Sequence, residues 1–199
     1  MSEQRAYGFD QRAVRSVGLD EVGRGPLAGP VVAAAVVLGA VVIEGVTDSK
    51  ALSPRRRNEL SGLIREHASG WGTGRAEPEE IDALNIRQAS LLAMERALGA
   101  LSVVPDYAWV DGRDCPRLPC AGEAVIGGDG RVAAIGAASI LAKEVRDAVM
   151  IDYASEYQGY GFERHKGYPT RDHLAALDRL GPCALHRRSF APVRRRLGA

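Results

Sequence analysis

The chain has 199 residues, 46% of them hydrophobic, which is enough for one well-filled core and too short for two full domains. Its longest apolar stretch, residues 31–43, covers 13 positions and contains Gly39, which suits a buried strand pair better than a membrane span. The formal net charge of +1 hides an asymmetry: residues 1–159 carry 17 Lys and Arg against 22 Asp and Glu, and residues 160–199 carry 9 against 3.

A single domain over residues 1–199 is therefore expected, with a basic part at about 160–199 that fits either a polyanion partner or a solvated surface. Residues 1–10 are charged and lack the apolar core of a secretory signal, so the expected location is the cytoplasm. Cys115 and Cys120 have no second Cys or His pair at zinc spacing, and His165 and His173 are too far apart for the usual His arm, which points to reduced thiols.

In chain order, residues 17–38 read as strand, glycine loop, strand. Asp20 and Glu21 stand at the end of an apolar run and are followed by Gly23-Arg24-Gly25. The glycine spacing fits neither the dinucleotide fingerprint nor the P-loop, and Pro26 and Pro30 exclude a helix. The two acids read either as a solvated strand end or as carboxylates at the edge of a buried sheet, which need a cation. Neighbouring strand residues face opposite ways, so both acids reach one centre only if the backbone turns or bulges beside them.

Lys50 falls in a loop before a helix spanning residues 54–67, where Ser53 is a good N-cap and Pro54 a good first residue; Leu60, Leu63 and Ile64 mark its buried side. A short strand is expected at 71–75, a helical turn or two at 77–83, and a helix at 86–101 with its apolar stripe at Ile86, Ala89, Leu92, Ala93, Ala97 and Leu101. Residues 107–112 form a strand ending in Asp111. A further strand at 123–127 leads to Gly128-Asp129-Gly130. Three apolar strands thus finish in Asp20, Asp111 and Asp129, and ligand sites in α/β sheets gather at such ends.

The longest helix covers about 133–157, with Ala138, Leu141, Val145, Ala148 and Val149 on one face and Ser139, Lys143, Arg146 and Asp147 on another. That second row is either a solvated stripe or, if it faces the acids, a place for Lys143 to meet a phosphate. Residues 161–170 mix cations, aromatics and glycine in a way suited to gripping a nucleic-acid backbone, and Thr170 can cap a helix to about 180.

These residues resemble a family. Residues 20–30, Asp-Glu-Val-Gly-Arg-Gly-Pro-Leu-Ala-Gly-Pro, are similar to the signature of bacterial ribonuclease HII, the type 2 ribonuclease H. The likeness continues through Asp48-Ser49-Lys50, Asn85-Ile86, Val110-Asp111-Gly112, Gly128-Asp129, Ala137 to Lys143, Arg146-Asp147, His165 to Thr170 and His186 to Phe190. It implies a ribonuclease H-like α/β fold, a central mixed β-sheet flanked by helices with a helical C-terminal part. It also implies an endoribonuclease that cleaves RNA in RNA/DNA hybrids and nicks 5′ of single ribonucleotides in duplex DNA.

By position, the resemblance makes Asp20, Glu21, Asp111 and Asp129 the holders of Mg²⁺ or Mn²⁺, with two ions expected in catalysis. Gly23, Arg24 and Gly25 would read the RNA-to-DNA junction through the 2′-hydroxyl, Tyr168 would stack on the following deoxyribose, and Lys50, Ser139 and Lys143 complete the expected substrate contacts. One departure stands out: Gly127 occupies the place of the family's usual Lys before the fourth acid. The related type 3 enzymes typically use Glu as that acid, so Asp129 favours type 2. A monomer without a membrane or an obligate protein partner is expected. Two other readings use the same residues: a silent binder of RNA/DNA junctions, and a metal-dependent phosphatase for a small substrate.

Overall fold

A computed structural model describes residues 15–198; residues 1–10, on which the expectation of no secretory signal rests, lie outside them. The described chain forms five strands: β1 Ser16–Val22, β2 Val31–Val37, β3 Gly70–Ala76, β4 Tyr107–Asp111 and β5 Ala121–Val125. Seven helices accompany them: α1 Pro54–His67, α2 Pro78–Leu84, α3 Ile86–Gly99, α4 Ala133–Glu156, α5 Phe162–His165, α6 Arg171–Leu180 and α7 Ala191–Arg194. The strands form one mixed sheet in the order β3-β2-β1-β4-β5. β1 and β2 are antiparallel, as are β2 and β3, while β1, β4 and β5 run parallel.

Every residue of β2 is buried because both sheet faces are covered, which is why its sequence is apolar throughout rather than alternating. Val31, Ala33, Ala35 and Val37 pack with Ala89, Ala93, Met94 and Ala97 of α3. Val32, Ala34 and Val36 pack on the other face with Leu60 and Ile64 of α1 and Ala137, Ala138 and Leu141 of α4. The expected strand pair across residues 31–43 is a single strand: β2 ends at Val37, and Val41 and Val42 are exposed.

Local signals place the helix starts. Ser53 accepts the N–H of Arg56, and Asn85 accepts those of Arg87 and Gln88. α1 covers the expected residues, although Leu63 is exposed rather than buried. The strand expected at 123–127 starts earlier, at Ala121, and stops at Val125, so Asp129 sits on a 3-10 turn, Gly128–Gly130, beyond the strand.

The C-terminal part, α5 to α7, is mounted on the loop between β1 and β2. Ala28 pairs with His186 in an isolated bridge, Leu27 donates to the Gly167 carbonyl at 2.8 Å, and Gly29 donates to that of Leu185 at 2.9 Å. Leu27, Leu177 and Val193 form a small apolar cluster beneath. No helix among the described residues is long and apolar enough to cross a membrane.

Candidate active site

The parallel pairing of β1 with β4 puts Leu19 opposite Val110, so the next residues of the two strands, Asp20 and Asp111, emerge side by side. Asp111 is the last residue of β4, and its Oδ1 accepts the N–H of Gly128 at 2.7 Å. That bond ties the strand end to the turn bearing Asp129. β1 pairs with β2 in continuous register through Asp20, Glu21 and Val22, so no bulge lies beside the two acids. Asp111 relates them instead.

Its charge acts on all three other acids. Burial first, then Glu21 and Asp111, push the Asp20 carboxyl well above its ordinary range, against a hydrogen bond to Ser139. Glu21 is raised by burial, opposed first by Arg24 and with Asp111 adding to the rise; Arg24 Nη1 lies 3.1 Å from Glu21 Oε1. Asp129 is raised by burial, Asp111 and Asp48, with Lys50 acting the other way.

Among the described residues, no three Asp, Glu, His or Cys side chains are gathered tightly enough to cage an ion, so the four acids form an open set. The set nevertheless fits a hard divalent cation. It offers only carboxylate oxygens, and three of its members carry an electrostatic penalty that a dication relieves.

Beside the acids, the loop from Gly23 to Pro30 turns back toward β2. Gly23 has φ +96°, and a Cβ there would stand 2.2 Å from Nε of Arg146, so only glycine fits. Arg24 and Gly25 are exposed. Tyr168, from the far C-terminal part, brings its ring to 3.8 Å from where a Gly25 Cβ would lie. The structure thus joins two sequence-predicted substrate contacts into one surface.

Residues 17–193 match the family Ribonuclease HII. The chain belongs to the ribonuclease HII family. It is 60% identical over 186 residues to a ribonuclease HII of Nitrosococcus oceani, covering 93% of this chain and 92% of that one. The ribonuclease H2 of Pyrococcus horikoshii has a similar structure, with a TM-score of 0.76 and 25% identity over 91% of this chain and 96% of that chain. Bst-RNase HIII in complex with Mn²⁺ shares the fold at a TM-score of 0.64 and 18% identity, over 94% of this chain and 70% of that one. Membership makes this chain a metal-dependent endoribonuclease.

The remaining predicted contacts of this ribonuclease HII divide into two groups. Ser139 is buried, donates its hydroxyl hydrogen to Asp20 and accepts from Ser49 Oγ, 2.9 Å away. Lys50 is exposed on a 3-10 turn, Ser49–Ala51, near Asp129. Lys143 is held elsewhere: its Nζ donates to Asp147 at 2.7 Å, in a network where Arg57 also reaches Glu144 and Asp147.

Sequence reasoning treated Asp48 as motif only, whereas its charge reaches Asp129 and its carboxylate caps the Lys50 turn at 2.9 Å. It also gave no role to Arg187. That arginine is fully buried, against the surface habit of its type, and only the His186 to Phe190 motif marked its neighbourhood.

Proposed function

We propose that this chain hydrolyses the RNA strand of RNA/DNA hybrids and nicks duplex DNA on the 5′ side of a single embedded ribonucleotide, leaving 3′-hydroxyl and 5′-phosphate ends. The observation that carries this reading is the joining of the Asp20, Glu21, Asp111 and Asp129 set to the Gly23-Arg24-Gly25 and Tyr168 surface. Carboxylates alone would serve many phosphate substrates; the adjoining backbone surface and aromatic ring suit a nucleic-acid strand.

Asp20, Glu21, Asp111 and Asp129 would hold divalent cations, Mg²⁺ or Mn²⁺, two during reaction. When bound, such ions activate a water and stabilise the leaving 3′-oxygen in an in-line displacement. Ser139 orients Asp20, and Gly128 orients Asp111, each through a hydrogen bond. Arg24 holds Glu21 while its backbone N–H, which has no acceptor among the described residues, meets the 2′-hydroxyl. The absence of a side chain at Gly25 lets a ribose approach, and Tyr168 stacks on the sugar that follows. Lys50 lies on the acid side of this surface and serves a phosphate. Lys143 does so only by giving up Asp147.

The test is cleavage of a long RNA/DNA hybrid in Mg²⁺ or Mn²⁺. RNA fragments with 5′-phosphates, absent when chelator is added, are expected. Tight hybrid binding without cutting in either metal would replace this reading with that of a silent junction binder. Steep weakening of binding with salt separates a duplex substrate from a small phosphoester.

A further inference from the structure

Two arginines lie fully buried behind the Gly23–Pro30 loop, and neither makes an ion pair among the described residues. Buried charges normally sit against a carboxylate; these sit against backbone carbonyls of the loop. Arg187 donates from Nη2 to the Gly23 carbonyl at 2.6 Å and to that of Gly29 at 2.8 Å, from Nη1 to that of Arg24 at 3.0 Å, and from Nε to Gly29 at 3.0 Å. Arg146 takes the loop's other end, donating to the carbonyls of Pro30 at 3.0 Å and Ala28 at 3.2 Å, with its guanidinium carbon 5.9 Å from the Tyr168 ring centre.

The consequence follows from peptide geometry. In a trans peptide the C=O of one residue and the N–H of the next point in opposite directions. With the Gly23 and Arg24 carbonyls drawn inward onto Arg187, the N–H groups of Arg24 and Gly25 are turned outward. Both residues are exposed, and neither amide has an acceptor among the described residues. Two backbone donors therefore face the surface beside Tyr168, backed by a positive charge all three of whose nitrogens donate to carbonyls of the loop.

We propose that Arg187 is the residue that positions this loop for ribonucleotide recognition: its guanidinium fixes the direction of the Arg24 and Gly25 amides, and so sets the preference for a 2′-hydroxyl over a deoxyribose. This rests on the junction-reading role given above to Gly23-Arg24-Gly25. Lysine at 187 keeps the charge but lacks the planar fork needed to hold three carbonyls, which makes Arg187→Lys the informative variant.

The experiment compares the affinity of two otherwise identical DNA duplexes, one with a single ribonucleotide, in the non-cutting Asp111→Asn background with Mg²⁺. Arg187→Lys is expected to reduce the ribonucleotide preference by about tenfold or more, the scale of a misplaced contact, with affinity for the all-DNA duplex unchanged. Preservation of the preference, or an equal loss on both duplexes, overturns the positioning role. A background protein showing no preference at all overturns the junction reading itself.

If Arg187→Lys does not fold, amide exchange in the otherwise unaltered Asp111→Asn chain decides. Fast exchange of the Arg24 and Gly25 amides in the free protein, slowed by the ribonucleotide duplex and not by the all-DNA duplex, supports the proposal. Slow exchange in the free protein overturns it.

Discussion

Asp111 accepts the backbone N–H of Gly128 at 2.7 Å, so the carboxylate whose charge bears on the other three acids also fixes the turn that carries one of them. Asparagine at 111 retains an oxygen for that bond and removes only the charge. Asp111→Asn is expected to lower cleavage by roughly 10²–10³-fold or more, the scale of losing one preorganised electrostatic group, while duplex affinity stays near native and melting temperature does not fall. Single-turnover cleavage and a binding titration in the same buffer check both halves.

Asp20 leads to a stability prediction that depends on pH. Its carboxyl is raised well above the ordinary range by burial and by Glu21 and Asp111, so the fold binds that proton more tightly than the unfolded chain does. The apo protein therefore loses stability as pH rises through and above the ordinary carboxylate range. Asp20→Asn removes the penalty and is expected to melt higher than native in chelator at pH 7 by about 3 °C or more, the shift that about 1 kcal/mol gives a chain of this size. The difference shrinks toward about pH 4, and Mg²⁺ stabilises native more than the variant. Melts at the two pH values, with and without metal, read this directly.

The histidine pair beneath Tyr168 depends on pH in the other direction. His186 Nδ1 accepts the Cys183 N–H at 3.0 Å, so its Nε2–H donates to His173 Nε2 at 3.1 Å, and His173 Nδ1–H donates to the Tyr168 carbonyl at 2.9 Å. Every ring nitrogen is used by neutral rings, and an added proton breaks the chain. Burial, then the charge of His173, pushes His186 down to about 4. A depressed histidine gives stability that is complete above about pH 6.5 and lost as pH falls toward about 4, on the order of 3 kcal/mol. His186→Gln is expected to flatten that part of the stability–pH curve measured by urea unfolding.

Two glycines of the loop separate folding from recognition. Gly23→Ala forces a side chain at φ +96° into Arg146 and is expected to cost more than about 2 kcal/mol. Gly25→Ala meets only the Tyr168 ring, at an ordinary 3.8 Å, and is expected to leave stability within about 0.5 kcal/mol. It nevertheless blocks the approach of a ribose and weakens cleavage at a single ribonucleotide. Urea unfolding beside cleavage kinetics distinguishes the pair; two variants losing activity only in proportion to stability would contradict the recognition role.

What the sequence showed clearly was whatever local chemistry decides. Ser53-Pro54 and Thr170 marked helix starts, the valine-rich run after Pro30 marked a strand, and the acids at strand ends marked a sheet edge. What it left dark depends on packing between distant segments. Whether Asp20 and Glu21 needed a bulge was decided by the unbroken β1–β2 register, and their common neighbour by the position of Asp111. The direction of Lys143 was set by Asp147 and the Arg57 network. Arg187 was illegible because an arginine in a basic tail reads as solvated; its partners are carbonyls of a loop near the other end of the chain, which composition does not encode.

In the proposed function, the acid set cuts where the Gly23-Arg24-Gly25 and Tyr168 surface reads a ribonucleotide. The most direct measurement uses a DNA duplex with one ribonucleotide, incubated in Mg²⁺, Mn²⁺ or chelator, with the nick mapped to the nucleotide. A single nick on the 5′ side of the ribonucleotide, leaving a 3′-hydroxyl and lost with chelator, is the expected result. Cutting of long hybrids with none at the single ribonucleotide, or a nick elsewhere, would contradict it.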